Sequence, residues 1–212
     1  MDITVPAREG HGEYEEKRSR FIGGVYPVKS ESEVSDIIAS LKRKYWDARH
    51  TVYAFRLADG TARFSDDGEP HGTAGKPVLA VLDGEGYSDC LITVTRYFGG
   101  TLLGTGGLVR AYTEAAKAAA ADAGKEKLVP LGRWRVDCAY GQYDRLVREL
   151  GENGAFDIFA EFGEKVSVTY FAARENDSRL QNALTSAFFA ELSPELLDEK
   201  TGRDNKNADF QK

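Results

Sequence analysis

Five glycines in nine residues, Gly99, Gly100, Gly104, Gly106 and Gly107, separate an apolar β-type run from an alanine-rich one, and no other stretch constrains the chain as tightly. Leu91 to Phe98 reads as a strand. Leu108 to Ala121 reads as a helix that turns Leu108, Ala111, Tyr112, Ala115 and Ala119 inward and Arg110, Glu114 and Lys117 outward. A turn so poor in side chains can take positive φ and admit a ligand or a second backbone at close range. The helix behind it offers unpaired N–H groups and the positive end of its dipole to an anion. Two readings stay open at this point: a tight strand-to-helix connection, or a phosphate- or backbone-binding loop. Known nucleotide fingerprints do not decide between them. Thr105 stands where a P-loop spaced from Gly99 and Gly104 requires Lys, and Val109 takes the last glycine position of a GxGxxG pattern begun at Gly104.

Charge narrows the partners. The chain carries a net charge of −6. Up to residue 128 it holds 17 Lys and Arg against 19 Asp and Glu. Neither half has the basic excess of a non-specific nucleic-acid binder, so any such contact comes from a local patch. Cys90 and Cys138 lie in apolar runs without metal-ligand spacing and read as buried thiols of a reducing compartment. No run has transmembrane length and the polar start has no signal-peptide core, so a cytoplasmic protein is expected.

Taken in order, Met1 to Gly12 reads as loose, and Glu13 to Arg18 and Phe21 to Val28 as two strands. Val34, Ile37, Ile38, Leu41 and Tyr45 mark one helical face, with Ser30 and Glu33 spaced as a capping box. His50 to Leu57 and Ala62 to Ser65 read as strands, Ser65 to Lys76 as a polar loop, and Pro77 to Leu82 as a short helix. Glu126 to Gly132 reads as a linker. Beyond it the order β-α-β-β-α, with a weak final strand near Leu196, is that of a ferredoxin-like split βαβ. The expected division is residues 1–128, 129–199 and a disordered tail at 200–212.

Three clusters compete for chemistry. Asp66, Asp67, Glu69 and His71 crowd one loop, where a metal site is possible but turn-making bonds to nearby N–H groups are commoner, and no metal or other cofactor is expected. Lys42 to Arg56 interleaves cations with Tyr45, Trp46, Tyr53 and Phe55, the pattern of an RNA-binding face or of a capped helix beside core aromatics. His50 and His71 lack a partnered nucleophile, so no catalytic residue is assigned.

Four strings considered together resemble the YigZ/IMPACT family. They are Lys17 to Ile22, Ala48 to Ala54, Ser65 to Pro70 with Gly72 to Pro77, and Val94 to Gly100 with Leu103 to Leu108. The resemblance covers residues 13 to about 122 most strongly. It implies an α+β protein whose first domain has the ribosomal-protein domain 2-like fold, shared with elongation factor G domain IV and the GHMP kinases, and whose second is ferredoxin-like. Eukaryotic relatives regulate translation initiation by competing for the activator of a kinase that senses uncharged tRNA. They do so with an added N-terminal domain that has no counterpart in this sequence, so that role is not carried over. For bacterial members, whose biochemical role is not settled, the resemblance implies a function associated with nucleic acid or the ribosome. A dipeptidase label given to some members finds no dinuclear-metal ligand set here.

The expected function is therefore a non-enzymatic regulator of translation that binds RNA or a ribosomal component. Arg20, Arg49, His50, Lys76, Arg96 and Arg110 would supply phosphate contacts. Gly99, Gly100, Gly104, Gly106 and Gly107 would give close backbone approach, and Asp66, Asp67, Glu69 and His71 a recognition loop. The alternative is an enzyme or sensor holding a small phosphorylated ligand at the glycine loop.

Overall fold

A computed structural model describes residues 3–203. The chain divides into two units, residues 3–126 and a second that begins at Lys127. The first unit contains β1 (Ile3–Pro6), β2 (Gly10–Glu16), β3 (Ser19–Pro27), α1 (Glu31–Lys44), β4 (His50–Arg56), β5 (Ala62–Ser65), α2 (Gly75–Glu85), β6 (Cys90–Tyr97) and α3 (Gly104–Ala123). Its antiparallel sheet runs β2-β3-β6-β4-β5. The central β6 is buried from Cys90 to Arg96 because helices cover both faces. On one face Val52, Ala54, Ile92 and Val94 pack with Val78 and Leu82 of α2 and with the alanines of α3. On the other, Leu91 and Phe55 pack with Val34, Ile37 and Ile38 of α1.

The alanines of α3 have a counterpart in the glycines of β2 and β3. A Cβ on Gly10 or Gly12 would lie 2.4 Å from the backbone of Ala119, and one on Gly23 would lie 2.4 Å from Ala115 O. Helix and strand backbones are thus in direct contact, which only Gly against Ala permits. At α1 the expected cap forms in altered shape. Ser30 Oγ accepts from Glu33 N, but the Glu33 carboxylate accepts from Lys29 N, one residue before the cap.

The second unit contains β7 (Lys125–Cys138), α4 (Tyr143–Glu152), β8 (Ala155–Phe162), β9 (Val166–Ala173), α5 (Asp177–Phe188) and β10 (Glu195–Arg203). Its strands lie in the order β10-β7-β9-β8, antiparallel throughout. Leu146 and Leu150 of α4 and Leu180 and Leu184 of α5 cover Val136, Val168 and Tyr170.

Four expectations are corrected. Ile3 to Gly12 are not loose: within them lie β1 and the start of β2, where Thr4 bridges Tyr87 and Gly10 pairs with Val25, while Met1 and Asp2 lie outside the described residues. Glu126 to Gly132 is no linker but part of β7, in which Pro130 lies opposite Thr201. Lys200 to Arg203 belong to β10 rather than to a tail, and the remainder of that tail lies outside the described residues. Finally, α3 begins at Gly104, so Gly104, Gly106 and Gly107 form its first turn instead of a loop before it.

Candidate functional site

Strand register places Phe21, Arg96 and His50 in one row: Arg96 lies opposite Phe21 on β3 and opposite His50 on β4. Period-2 alternation puts Arg96 on the face of Ile92 and Val94, beneath α3, and it is only 5% exposed. Its guanidinium lies over the rings of Phe21 and Phe98, 5.5 and 5.6 Å from their centroids. A buried cation needs a counter-charge, and Glu69 supplies it: Arg96 Nη1 donates to Glu69 Oε1 at 2.6 Å. Tyr112 of α3 donates to the same oxygen at 2.7 Å. Burial, reinforced by the Glu69 charge, raises the Tyr112 hydroxyl far above its usual range, so it stays a donor. His50 completes the group. Its Nδ1 lies 2.7 Å from the Asp67 carbonyl, which can only accept, so the proton sits on Nδ1. Its Nε2 is left 3.8 Å from Glu69 Oε1.

The acidic loop divides into separate tasks. Asp66 accepts from the N–H groups of Gly72, Ala74 and Gly75, and so caps α2, whose own N-cap residue Ala74 has no side chain to do so. Burial opposes its charge, but the three donors prevail and hold Asp66 below the usual carboxylate range. Asp67, at φ 44°, accepts from Thr51 N and from Lys42. Glu69 is the buried anion beneath Arg96. His71 is solvent-exposed, 3.8 Å from Asp66. Among the described residues no three His, Cys, Asp or Glu are grouped to hold a metal ion. Cys90 and Cys138 are free and buried.

Beside this cluster opens a cavity of about 470 Å³. Arg49 and His50, Gly68 to Pro70, Arg96, Phe98 and Leu102 to Thr105 line it, so the basic strand, the acidic loop and the glycine turn meet there. The first turn of α3 forms one wall. Its N-cap, Leu103, offers no capping side chain, and no acidic residue follows in that turn. The leading N–H groups are therefore free to meet an anion. Arg49 is exposed and forms no ion pair among the described residues. Phe98 and Leu102 are apolar yet exposed, Leu102 by 82%.

The remaining site residues fall elsewhere. Arg20 alternates with Phe21, points to the opposite face of the sheet and is paired with Glu13. Lys76 lines a second cavity of about 620 Å³ between α2 and α3, with Val109 and Lys117. Arg110 is exposed on α3 outside the lining of either cavity. Gly99 is a packing glycine: its N–H donates to Ser19 Oγ, and a Cβ there would meet Arg18 C at 2.1 Å. Gly100 and Gly104 take positive φ, 84° and 73°. A Cβ on Gly107 would press on Leu103 Cβ at 3.0 Å, whereas one on Gly106 would meet nothing within 4 Å. Sequence reasoning missed Phe98, Leu102 and Tyr112 as part of this site. The signal for Tyr112 was its place on the inward face of α3, and for Phe98 its position just past the buried strand.

The Impact N-terminal domain model matches residues 17–120. An IMPACT family member of Haemophilus influenzae is 35% identical over 202 residues, spanning 93% of this chain and 98% of the relative. YigZ of Escherichia coli K12, an IMPACT family member, is 34% identical over 190 residues, 88% of this chain and 87% of the relative. A crystal structure of a hypothetical protein superposes with a TM-score of 0.59 at 29% identity, covering 93% of this chain and 98% of that one.

Proposed function

The chain belongs to the IMPACT family, and from that premise together with the cavity we propose that it is a non-enzymatic regulator of translation that binds RNA, alone or as part of a ribosomal component. The observation that carries this reading is the free Arg49 beside exposed Phe98 and the uncapped start of α3, around one opening in an otherwise acidic protein. An arginine and an N–H-rich helix start suit a phosphate, and an exposed ring suits a base. Within the set of expected phosphate contacts, Arg49 and His50 stand at the opening. Arg96 acts from below, its charge already balanced by Glu69. The proposal extends to the fold: the first unit takes the ribosomal-protein domain 2-like fold, and the second, by its βαββαβ order and strand arrangement, the ferredoxin-like one.

Retention of a mixed cellular RNA pool, measured at several salt concentrations, tests the reading. Wild type is expected to bind with affinity that falls as salt rises, and Arg49→Glu to bind less with a shallower salt slope. Binding that ignores salt, or is equal in Arg49→Glu, contradicts it. The cavity volume favours one second reading, a small phosphorylated ligand, because 470 Å³ is within the range of small-molecule sites. Thermal stabilisation by a free nucleotide in the absence of RNA would mark that alternative.

A further inference from the structure

We infer that the cavity takes a single unstacked nucleotide of a single-stranded RNA: its phosphate rests on the first turn of α3 under Arg49, and its base lies against Phe98. The inference rests on the RNA reading and adds to it the form of RNA and the manner of its recognition.

Three independent observations support it. The first is Arg96, which lines the cavity and is 5% exposed, yet whose Nε finds no acceptor among the described residues. A buried guanidinium N–H without a partner is costly, and the side chain that carries it is part of the cavity lining. The second is Gly106. It has no positive φ and no neighbour that a Cβ would strike, so neither backbone conformation nor packing asks for glycine there. A glycine in a helix lowers stability relative to alanine. Gly106 is itself outside the cavity lining, but it is exposed directly after Gly104 and Thr105, which belong to that lining, and a ligand on the N–H groups of this turn would come close to it. The third is the chemistry of the rim. Arg49 has no ion-pair partner among the described residues, and the His50 ring beside it turns Nδ1 toward the Asp67 carbonyl and Nε2 toward Glu69. Exposed Phe98 already carries a guanidinium on one face, with Arg96 5.6 Å from its centroid, and such stacked planes extend readily to a base.

Size decides between a nucleotide and a bare phosphate. A phosphate would fill a small part of 470 Å³, whereas one nucleotide occupies a site of this order. A duplex keeps its bases stacked inside the helix and cannot place one there without flipping it out.

The test uses the full chain and two probes, a short oligouridylate and an RNA duplex of the same length. Wild type is expected to bind the single strand more tightly. Phe98→Ala and Arg49→Ala should each weaken that complex about tenfold, in keeping with the loss of one base stack or one phosphate contact, and leave duplex binding little changed. In an amide NMR titration with the oligouridylate, the Gly104, Thr105 and Gly106 signals should move first. Three results overturn the inference: equal binding of duplex and single strand, single-strand binding unchanged in both variants, or amide shifts confined to another surface. In the first and third of these the RNA reading survives; the second, like an unaltered Arg49→Glu, overturns that reading as well. If neither probe and no RNA pool is retained even at low salt, the RNA reading fails and this inference falls with it. Both variants are at exposed positions, and circular dichroism checks that they fold.

Discussion

Glu69→Ala removes the one acceptor that Arg96 Nη1 and the Tyr112 hydroxyl share. The side chains of Arg96 and Glu69 are 6% and 4% exposed, so the variant leaves a cation in the interior without its counter-charge. Breaking a buried pair from one side costs about 3–5 kcal/mol. The stranded Tyr112 hydroxyl adds about 1 kcal/mol, less if it finds a water. The first unit should thus lose about 4 kcal/mol, a large part of the stability of an ordinary domain. Hydrogen exchange of the β6 amides in urea measures this locally, without mixing in the second unit. Replacing both partners by apolar residues, Glu69→Leu with Arg96→Met, should restore stability to within about 1 kcal/mol of wild type, because no charge then remains to bury. A loss below about 1 kcal/mol in Glu69→Ala alone would show that the guanidinium escapes to water and would refute the account of a neutralised cavity floor.

Three further expectations concern neighbouring parts of the structure. Gly12→Ala drives a Cβ to 2.4 Å from Ala119 N and 2.6 Å from Ala118 Cβ, so α3 must shift; a loss of about 2–3 kcal/mol is expected in urea unfolding, and a neutral variant would contradict the close packing. Gly106→Ala should raise the melting temperature, corresponding to about 0.5–1 kcal/mol, while weakening RNA binding; a variant that stabilises and binds normally would make that glycine incidental. Asp66 is held below its ordinary value of 3.8, so the unfolded chain takes up its proton first on acidification. Its contribution is complete above that value and is lost as pH falls through the lower folded value. The stability difference between wild type and Asp66→Asn, about 1–2 kcal/mol at neutral pH, should therefore shrink in acid, and a pH-independent difference would contradict the capping role.

How much of this could be read in the sequence depended on whether a segment has two distinguishable faces. The strand and the helix between Leu91 and Ala121 were legible because Leu91, Ile92 and Val94 make β6 mostly apolar and α3 keeps one alanine face. The strand within Glu126 to Gly132 was not, since Pro130 and alternating charges suggest a linker and its pairing is supplied by β10, some seventy residues on. β10 itself is exposed at nearly every position and has no apolar alternation to show. Of the loop read as a recognition element, Asp66 makes the turn bonds to nearby N–H groups that such loops commonly form, but Glu69 differs: its partners Arg96 and Tyr112 lie 27 and 43 residues away. Period-2 alternation from Ile92 and Val94 does point Arg96 inward, and a buried arginine demands an anion. What remained illegible was which of Asp66, Asp67 and Glu69 would provide it, because loop geometry alone separates them. Arg20, Lys76 and Arg110 were grouped with the cavity residues as phosphate contacts, but strand alternation and helix faces send them to other surfaces.

Ultraviolet cross-linking of bound single-stranded RNA, with the adducts mapped by mass spectrometry, tests the central claim most directly. The account predicts adducts at Phe98 and in peptides that contain Arg49 and His50 or Leu102 to Thr105, all from the lining of the one cavity. Adducts confined to the second unit, or to the surface around Lys76 and Lys117, would contradict it.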